Sequence, residues 1–137
     1  MNWVNIPAEP EFINDYVGFV YEITEKDTGM KYIGIKKFWF TIRRKPLKGK
    51  KRVRIEKKES DWRTYVGSNT ALQEKIKFRP YNYTKKILFC CLSVTEMKAR
   101  EASIQLNYYF RGDWNLLYNE MINLRLRIRK NEKRREP

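Results

Sequence analysis

The sequence predicts an α+β domain in which a small three-stranded antiparallel sheet is flanked by helices, with a basic arm inserted after the first hairpin. Three observations point there. Two short segments rich in aromatic and β-branched residues, 17–24 and 30–35, are close enough in the chain to form a hairpin. A third such segment follows at 84–92, and apolar residues elsewhere recur at helical spacing. A chain of 137 residues, 42% hydrophobic and 15% aromatic, suffices for one core, so a single domain over 1–137 is expected.

The elements follow in order. Val17 to Thr24 and Met30 to Ile35 read as strands, and the segment between them carries Asp27 and Gly29, residue types that favour turns. From Thr41 to Lys58 the chain holds Arg43, Arg44, Lys45, Lys48, Lys50, Lys51, Arg52, Arg54, Lys57 and Lys58, with Pro46 and Gly49 breaking any helix; this is read as a basic loop or arm. Ser60-Asp61-Trp62 opens a short ordered segment ending in Tyr65-Val66-Gly67-Ser68-Asn69. A short helix is expected over Thr70 to Phe78, ended by Pro80. Thr84 to Leu92 reads as a buried strand, and Ser93-Val94-Thr95-Glu96 fits a capping box opening a helix that runs to Phe110. A last helix is expected around Leu116 to Lys130, merging into a basic tail over about 125–137.

Thirty Lys and Arg against 16 Asp and Glu leave a net charge of +14, a field that concentrates polyanions at the surface. Nucleic acid is the leading partner. No apolar run approaches a spanning helix and Met1-Asn2-Trp3 lacks a secretory signal, so membrane is not expected and a cytoplasmic location is. The adjacent Cys90 and Cys91 lie in an apolar run and read as reduced core thiols facing opposite sides of a strand. With no histidine and no C-x-x-C pair, a zinc site is not expected, and imidazole-assisted serine or cysteine catalysis is excluded. A metal here is held by carboxylates, which favours Mg²⁺ or Mn²⁺. No small-molecule cofactor is expected.

A turn near residues 26 and 27 pairs Tyr21 directly with Tyr32 and stands two phenols side by side on one face. Gly34 and Lys36 follow on that face by the period of two. Paired aromatics also stabilise sheets without any chemistry, so the pair alone favours a structural role. On the helix from Val94, Met97, Ile104 and Tyr108 fall within about 60° of Glu101 at 100° per residue, which centres a carboxylate in an apolar stripe. Such a carboxylate holds a metal or pairs with a core cation, and the sequence leaves both open.

Phe19-Val20-Tyr21, Tyr32-Ile33-Gly34 eleven positions on, and a later helix bearing Glu101 together resemble the GIY-YIG nuclease family over roughly residues 17–123. Tyr65-Val66-Gly67-Ser68, Lys86-Ile87-Leu88 and Leu117-Tyr118-Asn119 add likeness to its phage-type and intron-type homing members. The resemblance implies a three-stranded antiparallel sheet with helices, one Mg²⁺ or Mn²⁺ on Glu101, Tyr21 as candidate base, Tyr32 orienting water or phosphate, and Asn119 in support. The first motif is Phe-Val-Tyr in place of Gly-Ile-Tyr. The family's arginine falls at Arg43 or Arg44 by spacing and at Arg63 by context; Arg63 and Lys36 are preferred.

Phosphodiester hydrolysis needs an activated water, charge neutralisation at the phosphoryl oxygens and help for the leaving oxygen. A phenol is a poor base at neutral pH unless cations lower its pKa, and Lys36, Lys37 and the metal are expected to do so. Lys37, Arg43, Arg44, Lys48, Lys50, Lys51, Arg52 and Arg54 are expected to contact the phosphate backbone of DNA, with RNA the less favoured substrate. Specificity must come from arm and tail, or from a protein partner or dimerisation, or be low. The expected activity is metal-dependent DNA cleavage, as in a phage homing endonuclease. Its rivals are a basic DNA- or RNA-binding module that has lost catalysis and a structural ribonucleoprotein component.

Overall fold

The computed structural model describes residues 1–122. The expected basic tail, and most of the expected last helix, lie outside the described residues. Eight strands and helices occur in chain order: β1 (Trp3–Val4), β2 (Gly18–Glu25), β3 (Lys31–Lys37), β4 (Trp39–Arg44), β5 (Arg54–Glu59), α1 (Thr70–Phe78), β6 (Tyr83–Cys91) and α2 (Val94–Phe110). One sheet has the order β1-β6-β2-β3, and β4 and β5 form a second, two-stranded sheet. The α+β class is as expected, and β2, β3 and β6 pair antiparallel. The sheet has one strand more than expected, because β1 pairs parallel with β6 and makes it mixed.

The β2–β3 hairpin corrects the expected register. Tyr21 pairs with Gly34, and Tyr32 pairs with Ile23. The turn uses five residues, 26–30, with Glu25 N–H donating to the Met30 carbonyl at 2.8 Å and Gly29 at a φ of 76° that an L side chain resists. The slip is two residues, so each side chain keeps its face. A bulge between Val20 and Tyr21 leaves Leu88 of β6 outside the pairing, re-aiming the sheet beside Tyr21.

Each face of the sheet has its own core. Trp3, Phe12, Phe19, Tyr21, Phe38, Trp62, Leu72 and Ile76 fill one, largely through edge-to-face rings such as Phe38 against Trp62 at 5.0 Å. Val20, Ile33, Cys91, Met97 and Leu117 fill the other, beneath α2. Cys90 packs on the first core and Cys91 in the second, on opposite faces as expected. Both helices have the expected bounds: Asn69 caps α1 by accepting from Leu72 N–H at 3.1 Å, and Ser93 caps α2 by accepting from Glu96 N–H at 3.0 Å.

Two further expectations are corrected. The basic arm is a β-hairpin: Thr41 pairs with Lys57 and Arg43 with Ile55, leaving only 45–53 as its loop. Nor is there a helix from Leu116 to residue 122. After a short 3₁₀ turn at Trp114–Leu116 the chain runs extended along the free edge of β3, where Tyr118 N–H donates to the Lys31 carbonyl at 2.7 Å. Backbone groups left open on an edge strand attract this segment more strongly than helix propensity holds it.

Candidate active site

Tyr21 and Tyr32 stand on the face of the sheet away from α2. Their diagonal pairing leaves the rings 6.2 Å apart between centroids, with Tyr65 edge-on to Tyr21 at 6.0 Å. Tyr21 lies across Gly34, where a Cβ would collide with the phenol oxygen; this is why the position opposite Tyr21 is a glycine. The phenol thereby reaches the β3 edge. Gly67, at a φ of 92°, brings the 65–68 loop against both phenols, and Tyr32 Oη and Ser68 Oγ share a hydrogen bond of 3.3 Å.

Glu101 comes from α2, on the other face, and meets the phenols around the edge of β3. A cavity of about 750 Å³ there is walled by Tyr21, Tyr32, Gly34, Ser68, Glu101 and Asn119, with Ile35, Lys98 and Gln105 alongside. Asn119 takes its place through the edge segment: its Oδ1 accepts from Ile33 N–H at 2.9 Å and its Nδ2 donates to the Ile33 carbonyl at 2.8 Å. Both ends of the amide are thus spent on backbone, so Asn119 builds the wall. Tyr118 anchors the same segment through its hydroxyl, which donates to the Glu25 carboxylate.

Electrostatics divide these groups. Burial holds the Tyr21 phenol far above its ordinary pKa, and the neighbouring Tyr65, Tyr32 and Glu101 push the same way. The expected lowering by Lys36 and Lys37 does not occur. Burial also raises the Glu101 carboxyl, and Lys98 partly offsets this. Beneath the site, Lys85 is 1% exposed yet donates to the Arg63 and Tyr65 carbonyls at 3.0 Å each, and burial pulls its pKa down to about 8.

Of the residues singled out from sequence, Tyr21, Tyr32, Glu101 and Asn119 share the cavity, and the others lie elsewhere. Lys36 is on the Tyr32 face but pairs with Asp61 at 2.7 Å and sits over the Tyr65 ring. Arg63 pairs with Glu59 at 3.4 Å, stacks on Trp62 and borders a separate hollow with Met1 and Ile76. Lys37 borders another, with Asp15 and Trp39. Arg43, Arg44, Lys48, Lys50, Lys51, Arg52 and Arg54 are exposed on the β4–β5 hairpin and its loop. Sequence reasoning gave no role to Ser68, which it quoted only within a motif, and passed over Lys98 and Gln105, although these lie three before and four after Glu101, the spacing of one helical face.

Among the described residues no three acidic, histidine or cysteine groups gather as a metal cage. The cavity does offer hard oxygen donors: the Glu101 carboxylate and the Gln105 Oε1, which is buried without a hydrogen-bond partner. One carboxylate with a neutral oxygen suits a Mg²⁺-type ion that keeps most of its water and shares substrate phosphate, so the residues present fit one such ion.

No described helix is long and apolar enough to cross a membrane. No curated protein and no solved structure gives a significant match. The family model for the GIY-YIG domain of the segE endonuclease, however, matches residues 3–122, which takes in every described strand and helix and every wall of the cavity. The chain therefore belongs to the GIY-YIG nuclease family.

Proposed function

We propose that this protein is a metal-dependent endonuclease that hydrolyses DNA phosphodiester bonds. The observation carrying the reading is the convergence of Glu101, Tyr21, Tyr32 and Asn119, distant in sequence, on one cavity at the β3 edge. Glu101 would hold one Mg²⁺ or Mn²⁺, and the ion when bound supplies Lewis-acid polarisation of the phosphoryl group and eases departure of the leaving oxygen. Tyr32, half-buried and hydrogen-bonded to Ser68, orients the attacking water. Tyr21 keeps its proton at neutral pH and acts as a hydrogen-bond donor and a spacer, in place of the base its motif implied. The basic β4–β5 hairpin grips the phosphate backbone. A homing role belongs to the same reading and requires cutting at few sites, which gel analysis of a digested phage-sized DNA resolves.

Incubation with supercoiled plasmid tests the activity. Nicking or linearisation is expected with Mg²⁺ and none with chelator. Glu101→Gln keeps the shape and removes the charge, so cleavage is expected to fall by about 10³-fold or more while DNA affinity and melting temperature hold. A Glu101→Gln protein that is folded and cuts at the wild-type rate refutes the metal site. The burial of Tyr21 favours one rival, a module that binds DNA without cutting it; tight binding without Mg²⁺-dependent nicking decides for that rival.

A further inference from the structure

We infer that Lys98 is the cation that contacts the scissile phosphate, taking the part that the sequence assigned to Arg63 and Lys36; the inference rests on the nuclease reading above. Three observations carry it. Among the described residues Lys98 is the one cation lining the cavity that holds Glu101 and the phenols. It is exposed and in no salt bridge among the described residues, whereas Lys36 is held by Asp61 and Arg63 by Glu59. It stands three residues before Glu101 on α2, so the two project over the same patch and wall the same cavity.

The β3 edge completes the cradle. Ile33 spends its N–H and carbonyl outward on Asn119, and strand alternation turns the Ile35 N–H outward in the same direction, on the cavity wall. A phosphate seated there meets the Lys98 ammonium and a backbone N–H beside Glu101. In hydrolysis a water oxygen bonds to phosphorus and the bond to the leaving sugar oxygen breaks. One water proton ends on the leaving oxygen as a hydroxyl, and the other stays with the new phosphate monoester. Lys98 exchanges no proton in this step. It donates hydrogen bonds to a non-bridging oxygen and balances the charge that builds there.

Single-turnover cleavage of supercoiled plasmid, with enzyme in excess, tests the assignment on wild type, Lys98→Met and Lys98→Arg, with binding measured separately in chelator. Lys98→Met is expected to lower the saturating rate by about 10²- to 10³-fold with unchanged melting temperature. Affinity should change by less than about tenfold, and Lys98→Arg should recover at least a tenth of the wild-type rate. If wild type cuts and Lys98→Met cuts as fast, Lys98 is wrong and the nuclease reading stands. If added Mg²⁺ restores the Lys98→Met rate, Lys98 serves the ion and not the phosphate, and the assignment is overturned. If wild type itself does not cut, the nuclease reading falls and takes the assignment with it. Should Lys98→Met fold poorly, Lys98→Gln at this exposed position answers the same question.

Discussion

The cavity and the basic hairpin are built on opposite principles. The cavity draws its walls from β2, β3, the 65–68 loop, α2 and the edge segment, and each wall is fixed by packing or backbone hydrogen bonds. The hairpin meets the core at its base, where Trp39 packs on the first core and donates to the Ile13 carbonyl at 3.0 Å; beyond that all six residues of β5 are exposed, and the links are the β4–β5 ladder and surface pairs such as Arg44 with Glu56 at 2.6 Å. In the first region one altered side chain disturbs several neighbours. In the second, cations can be exchanged without the core registering it. Position matters in one and charge density in the other, as the proposed chemistry and the proposed phosphate attraction respectively require.

The sharpest way to break this contrast is Gly34→Val. The added side chain must displace Tyr21 from a filled core, so a loss of about 3 kcal/mol or more in unfolding free energy is expected, read by denaturant titration. A neutral result would show that the cavity wall is not fixed.

Lys85→Met probes the support beneath the site. Two carbonyls, of the exposed Arg63 and the half-buried Tyr65, are left without their donor, at a cost of about 1 to 2 kcal/mol. The variant also carries a pH signature. Folding lowers the Lys85 pKa from 10.5 to about 8, so between those values the unfolded chain binds more protons and wild-type stability gains as pH rises. Below about pH 8 both states are protonated and this gain is absent. The difference in stability between wild type and Lys85→Met should therefore widen from pH 8 to 10.5, and a constant difference would show that Lys85 is not desolvated.

The smallest effect on stability belongs to the hairpin. Changing Arg43, Arg44, Arg52 and Arg54 to glutamine should alter unfolding free energy by less than about 0.5 kcal/mol, since exposed ion pairs contribute little. DNA affinity should fall, and its dependence on log salt should flatten by roughly 0.9 for each phosphate that is no longer neutralised. An unchanged slope removes the hairpin from the DNA interface.

Much of this is legible in sequence, and the exceptions share a cause. The bounds of α1 and α2 are readable because caps are local: Asn69 and Ser93 each bond an N–H three residues on. Tyr21, Tyr32 and Glu101 stand out because period and motif agree. The hairpin register differs by two because the length of a turn is not encoded by its residue types alone. The β4–β5 strands are hidden because neither face is buried, leaving no alternation of apolar and polar residues to read. The described start of the expected last helix is overwritten, at Tyr118 and Asn119, by hydrogen bonds to Lys31 and Ile33, more than eighty residues away. Lys98 escapes notice because a search for a cation by chain spacing starts from the second tyrosine, while the cavity recruits its cation from the glutamate's own helix.

The edge segment has a consequence for how the protein is made. Asn119, Met121 and Ile122 wall the same cavity as Tyr21, so the site spans nearly the whole described chain. During synthesis the sheet cannot close until β6 emerges to lie between β1 and β2, and the cavity remains open until the residues around 119 have left the ribosome. A chain halted earlier would carry the tyrosines, the glutamate and the basic hairpin without the wall that assembles them. Translation itself thus delays completion of the cavity, and incomplete products would carry the exposed cations of the hairpin without a finished site.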